Sequence, residues 1–186
     1  MIVSIKNLKE LGACREGTEY ALAHLNGMDA SIAINGLIKA DKLEWANWAI
    51  SRLISKENRI RYAIYAASHV IKIYEDKYPS DTRPRDAINA AKRYLKTQTE
   101  KNRAAANAAS YAAYAAANVA SYAASNAASN AAYAAYAAAN AAANAASNAA
   151  YAAYAAANAA YAASNAAMKK NIICYGLRLL SQEAPK

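Results

Sequence analysis

The chain has 186 residues, a formal net charge of +9, no phenylalanine, five glycines and three prolines. That length holds one sizeable core, and scarce glycine and proline beside abundant alanine exclude a hairpin-rich β protein and favour helices. Cys14 and Cys174 are far apart, with no CxxC and no His/Cys cluster, which suggests neither a disulfide framework nor a zinc site and suits a reducing cytoplasm.

In chain order, the opening MIVSIKNLKEL lacks a charged leader followed by a long apolar region, so no signal peptide is expected. A helix passes through Tyr20, Leu22, Ala23 and Leu25 and stops at Asn26-Gly27. Asp29 caps the next, whose apolar side is Ile32, Ile34, Leu37 and Ile38. Asp41 is expected to cap a third in a capping-box-like start, with Trp45 and Trp48 on one face, read as core anchors ahead of a ligand cage. Between 57 and 74, Ile60, Ile64, Ala67 and Ile71 recur at helical spacing, and Tyr78-Pro79 closes that helix. Ser80, Asp81 or Thr82 caps a further helix, with Pro84 in its first turn and Ile88, Ala91 and Leu95 on its apolar side.

Arg85, Lys92, Lys96 and Arg103 follow at steps of seven, four and seven, which places them on one side of a single helix. Arg83, Arg93 and Lys101 thicken the cluster. A solvated face is the plain reading of such a run, and an anion or acidic-protein contact the functional one. Interleaved aromatics and a recognisable nucleic-acid module are absent.

Residues 104–167 carry no charge, so the basic excess lies on the flanks: 18 basic against 12 acidic residues before this tract and 4 against 1 after it. Within it, tyrosine and asparagine recur from Asn107 to Asn165 in sixteen steps over 58 residues, the period of an α-helix. The tyrosines of this stripe are Tyr111, Tyr114, Tyr122, Tyr133, Tyr136, Tyr151, Tyr154 and Tyr161. Residues 129–142 recur letter for letter at 147–160, so gene duplication contributes to the regularity. As one helix the tract would reach about 96 Å at 1.5 Å per residue. The alternative, favoured here, folds it back near 125–130 and 144–148, where Ser and Asn tolerate turns. The stripe is read first as hydrogen bonding along itself or between neighbouring helices and second as a binding surface.

No phosphate-binding glycine loop, HExxH, GxSxG or carboxylate pair at readable spacing occurs, and His24 and His69 stand alone. No catalytic residue, metal site or cofactor is therefore expected.

Three stretches carry a resemblance: DKLEWANWAISRL at 41–53, RIRYAIYAASHVIKIYEDKYPSDTRPRDAINAAKRYL at 59–95, and the YAAYAAAN tract closed by KKNIICYGLRLL at 169–180. Together they resemble the alanine- and tyrosine-rich immunity proteins, the type-five-like immunity domain of bacteria and their mobile elements. The resemblance implies an all-helical, non-enzymatic protein that neutralises a cognate toxin by binding it. The chain departs from that pattern in having Asn and Ser where acidic residues are expected among the alanines, so recognition through negative charge in the tract is not expected.

The expectation is thus an all-α multi-helix bundle or short α-solenoid in a single domain, 1–186. Mixed-composition helices occupy 1–103, the Ala/Tyr/Asn tract 104–167, and a closing helix and tail 168–186. A toxin or effector protein is the first partner expected, met through the basic cluster. An anionic small ligand such as a nucleotide signal, sequestered by a counter-defence factor, is the second, and a structural homo-oligomer the third. Nucleic acid ranks below these, and no membrane is expected.

Overall fold

A computed structural model of the chain describes residues 1–108, 113, 130, 133, 134, 136, 137, 158 and 166–183. Their named helices are α1 (Ile5–Glu10), α2 (Arg15–His24), α3 (Ala30–Lys39), α4 (Leu43–Leu53), α5 (Lys56–Lys77), α6 (Arg83–Lys96) and α7 (Ala166–Glu183). A further helical stretch occupies 100–108. No strand occurs among the described residues, where Ile2 and Asp29 form an isolated antiparallel bridge. The all-α expectation is borne out.

Capping chemistry sets most of the boundaries. Asp29 caps α3 as its type and place predict, accepting the Ser31 N–H at 2.9 Å. Ser55 caps α5 by accepting from the Asn58 N–H at 3.4 Å, and Pro84 sits in the first turn of α6. Asp41 behaves otherwise. It takes a left-handed φ of 57°, while its N–H bonds Ile38 O at 3.2 Å and the Lys42 N–H bonds Leu37 O at 2.8 Å. That is the double bond of a Schellman motif, so Asp41 ends α3 instead of starting α4. The reversal between the two helices is too short for a separate cap, and aspartate is among the few side chains that tolerate this backbone region.

The short helix α1 was not expected from the sequence. It buries no residue of its own and shows too few turns for a periodic signal. Its end follows the same physics as that of α3: Gly12 has φ +73°, and Ala13 N–H bonds Leu8 O at 2.9 Å.

Helix α5 forms the centre of the core. Its Ile60, Ala63, Ala67, Val70 and Ile71 are buried, as the spacing requires, together with Tyr62 and Tyr74. Helix α6 packs on α5, while α7 packs on α3, α4 and α5. Close approach of α7 depends on Gly176: a Cβ there would lie 2.7 Å from Ile50 Cγ2 and 2.9 Å from Tyr62 Cε2. Inside this junction the Tyr62 hydroxyl donates to Asn47 Oδ1 at 2.9 Å, both groups being buried. Ala106, Ala113, Ala134 and Ala137 of the alanine tract belong to the same core. The expected fold-back points at 125–130 and 144–148 lie outside the described residues, apart from Asn130.

Candidate functional site

The basic cluster divides into two groups once its surroundings are known. Arg83 makes a two-point pair with Asp81, Nε to Oδ1 at 2.8 Å and Nη2 to Oδ2 at 2.6 Å. The Tyr74 hydroxyl donates to the same carboxylate at 2.6 Å. Arg85 makes a second two-point pair with Glu75 of α5, at 2.6 and 2.5 Å. These contacts fasten the start of α6 to the end of α5. The Arg83 guanidinium, helped by the Tyr74 hydroxyl, holds the Asp81 carboxyl down at about 2 against the pull of burial. The Arg85 guanidinium likewise lowers the pKa of Glu75. Burial, reinforced by the bond to Asp81, raises that of the Tyr74 hydroxyl.

Arg103 pairs with Glu100 at 2.6 Å. It does not share a helix with Arg85. Helix α6 ends at Lys96, Thr97 turns to an extended backbone with φ −143°, and the next helical stretch begins at 100. The Asn102 amide secures the break by donating to Thr97 O at 2.7 Å, while Thr99 Oγ1 accepts the Asn102 N–H at 3.2 Å. Periodicity alone carried the step of seven across this break, because the Thr-Gln-Thr segment holds neither glycine nor proline. Lys92, Arg93 and Lys96 of α6, and Lys101 beyond it, are exposed. None of these four is in an ion pair within the described residues.

Of the stripe tyrosines, Tyr133 and Tyr136 are half-buried and pack against the core, and Asn158 is buried. Each of the three makes a polar or ring contact. Tyr111, Tyr114, Tyr122, Tyr151, Tyr154 and Tyr161 lie outside the described residues.

Two features escaped the sequence reading because each joins distant segments. At the N-terminus of α5, Glu183 of α7 occupies the place an external anion would take. Its oxygens accept the Ser55 N–H at 2.8 and 3.0 Å and the Asn58 side-chain amide. The second is a cavity of about 220 Å³ between α1, α2, α3 and α4. Trp45 and Trp48 border it and are half-buried, and Trp45 also packs against the core as an anchor would. Met1, which borders it, is one of the exposed large hydrophobics of the described residues, with Ile2, Ile5, Met28 and Ile32.

Among the described residues, no group of three His, Cys, Asp or Glu side chains is placed to hold a metal ion, and no helix is long and apolar enough to cross a membrane. Cys14 and Cys174 are free and exposed.

Among the described residues the arrangement is all-helical, with a framework braced by ion pairs. The family model described as Imm-5 like putative immunity protein matches residues 47–174. The chain belongs to this immunity-protein family. No curated protein and no solved structure matches it.

Proposed function

We propose that this chain is a non-enzymatic immunity factor that neutralises a protein toxin or effector by stoichiometric binding. Membership of the immunity-protein family over 47–174 carries the reading. The contact surface proposed is the exposed side of α6 with the start of the helical stretch after it: Lys92, Arg93, Lys96 and Lys101. Their side chains are exposed and form no ion pair among the described residues, whereas Arg83, Arg85 and Arg103 are neutralised within the chain. Such a surface favours an acidic partner face, and long-range attraction would act mainly on the association rate.

The test is co-expression with the product of the adjacent gene, scored by survival and by co-purification. Protection together with one dominant co-purified protein is expected, and neither would sink the reading. In the isolated complex, a Lys92→Glu/Lys96→Glu chain should associate about tenfold more slowly at low salt, with the difference shrinking as salt is added. An unchanged association rate would move the contact away from α6. Retention of labelled nucleotides by the wild-type chain, lost in the same variant, would instead favour sequestration of an anionic ligand.

A further inference from the structure

The cavity between α1 and α4 is an apolar space of about 220 Å³ bordered by eighteen residues. Protein interiors pack to crystal density and hold few voids larger than a water molecule. This space is larger than such voids and opens to solvent along part of its edge. Its origin can be read from the side chains: five of the bordering residues are alanines and two are glycines, small residues where a packed helical core uses leucine or isoleucine. Gly12 serves the left-handed turn after α1, and a Cβ at Gly17 would press on Cys14 Sγ at 3.2 Å.

The wall determines what can enter. No bordering side chain carries a charge. The Met1 ammonium is paired with Asp29 at 3.3 Å, and Cys14 Sγ accepts the Gly17 N–H at 3.3 Å. An apolar cavity of roughly 150 Å³ stays dry and takes up benzene or xenon, while drug-sized ligands need about 300 Å³ or more. The space thus matches one aromatic ring or a short hydrocarbon chain. Two indoles give it rigid aromatic walls. Trp45 is held by the Tyr20 ring at 5.2 Å and by Lys42 Nζ at 5.1 Å from its own ring, and Trp48 by the Arg52 guanidinium at 5.4 Å. Met1 and Cys14 border the space and are themselves exposed, which leaves a route to solvent at its edge.

We infer that this cavity is a binding site for a small, neutral, apolar molecule of about one aromatic ring, held by dispersion and aromatic contact with Trp45 and Trp48. Fifteen of the eighteen bordering residues precede residue 47, where the family match begins. The site is therefore a feature of this chain's N-terminal segment, and it is independent of the toxin-binding reading.

The two tryptophans of the chain are the two that line the cavity, so their emission reports its occupancy. Iodobenzene added to the full chain should quench that emission along a saturating curve, because iodine in contact with the indole ring promotes non-radiative decay. 4-Iodobenzoate should quench only linearly. Ala21→Leu and, separately, Ala49→Leu fill the space, and each should weaken iodobenzene binding by about tenfold or more with helix content retained. Linear quenching of the wild-type chain by iodobenzene would overturn the inference, as would saturation by 4-iodobenzoate at equal concentration, or undiminished binding in both filled variants. If neither leucine variant folds, xenon decides on the wild-type chain. Shifts confined to methyl signals such as those of Ile34 and Leu37 support the site, and unshifted methyl signals overturn it.

Discussion

The α5–α6–α7 framework and the N-terminal α1–α2 hairpin are built from the same kind of element and are held in opposite ways. In the framework, helices meet through fully buried side chains such as Tyr62, Ile71, Ile88 and Ile172, a close glycine contact at Gly176 and two-point ion pairs between or beside helices. In the hairpin, α1 buries nothing and α2 buries Ala21, and a cavity lies beneath them. The first region lies within the family match for most of its length, and the hairpin precedes it. A rigid scaffold carrying a loosely packed end is how proteins commonly combine stability with a binding space.

The largest effect expected from testing this contrast is on core truncation. Ile71→Ala in α5, at a site 1% exposed, should cost about 2–5 kcal/mol in urea unfolding. Leu8→Ala in α1, half-buried against the core, should cost about 1 kcal/mol. Equal losses would erase the distinction between the two regions. Next comes Gly176→Ala, where the added methyl meets Ile50 and Tyr62 at 2.7 and 2.9 Å. Overpacking of this kind costs about 1–3 kcal/mol, read as a lower Tm, and an unaltered Tm would show that α7 does not need its close approach.

The smallest effect concerns Asp81, whose folded pKa of about 2 lies below the unfolded value near 3.9. A depressed pKa contributes stability above the unfolded value and loses it as pH falls through the folded one. The chain should therefore lose stability on acidification from about pH 4 to pH 2, with Glu75 adding in the same direction. Asp81→Asn should remove about 1 kcal/mol at neutral pH, a figure reduced for the partial exposure of Arg83. It should also flatten that acid limb, and an unchanged acid limb would locate the acid sensitivity elsewhere.

Particular residues show what could be read before folding and what could not. The helix of Ile60, Ile64, Ala67 and Ile71 was legible because its apolar period is local, and Asp29 and Pro84 were legible because capping acts over two or three residues. Asp41 misled because one residue type suits both the start of a helix and the left-handed turn that ends one. Within the basic cluster the positions of the seven cations were visible, but the carboxylates that neutralise three of them were not assignable. Glu75 reaches Arg85 from another helix, and Asp81 suits a helix cap as readily as an arginine partner and here accepts from both the Arg83 N–H and its guanidinium. The two tryptophans announced an apolar face. Whether that face met a packed neighbour or a cavity depended on α1 and α2.

By itself the sequence determined that this protein is helical, where most of its helices begin and end, and that it carries a basic flank beside a neutral tract. Those properties follow from backbone propensity, local capping and charge count, which act within a few residues. The tertiary structure alone decided which cations stay exposed, that Glu183 closes the anion-attracting end of α5, and that small side chains from separate helices leave one apolar space between them. Those outcomes depend on distances between segments far apart in the chain, which are set only when the helices pack.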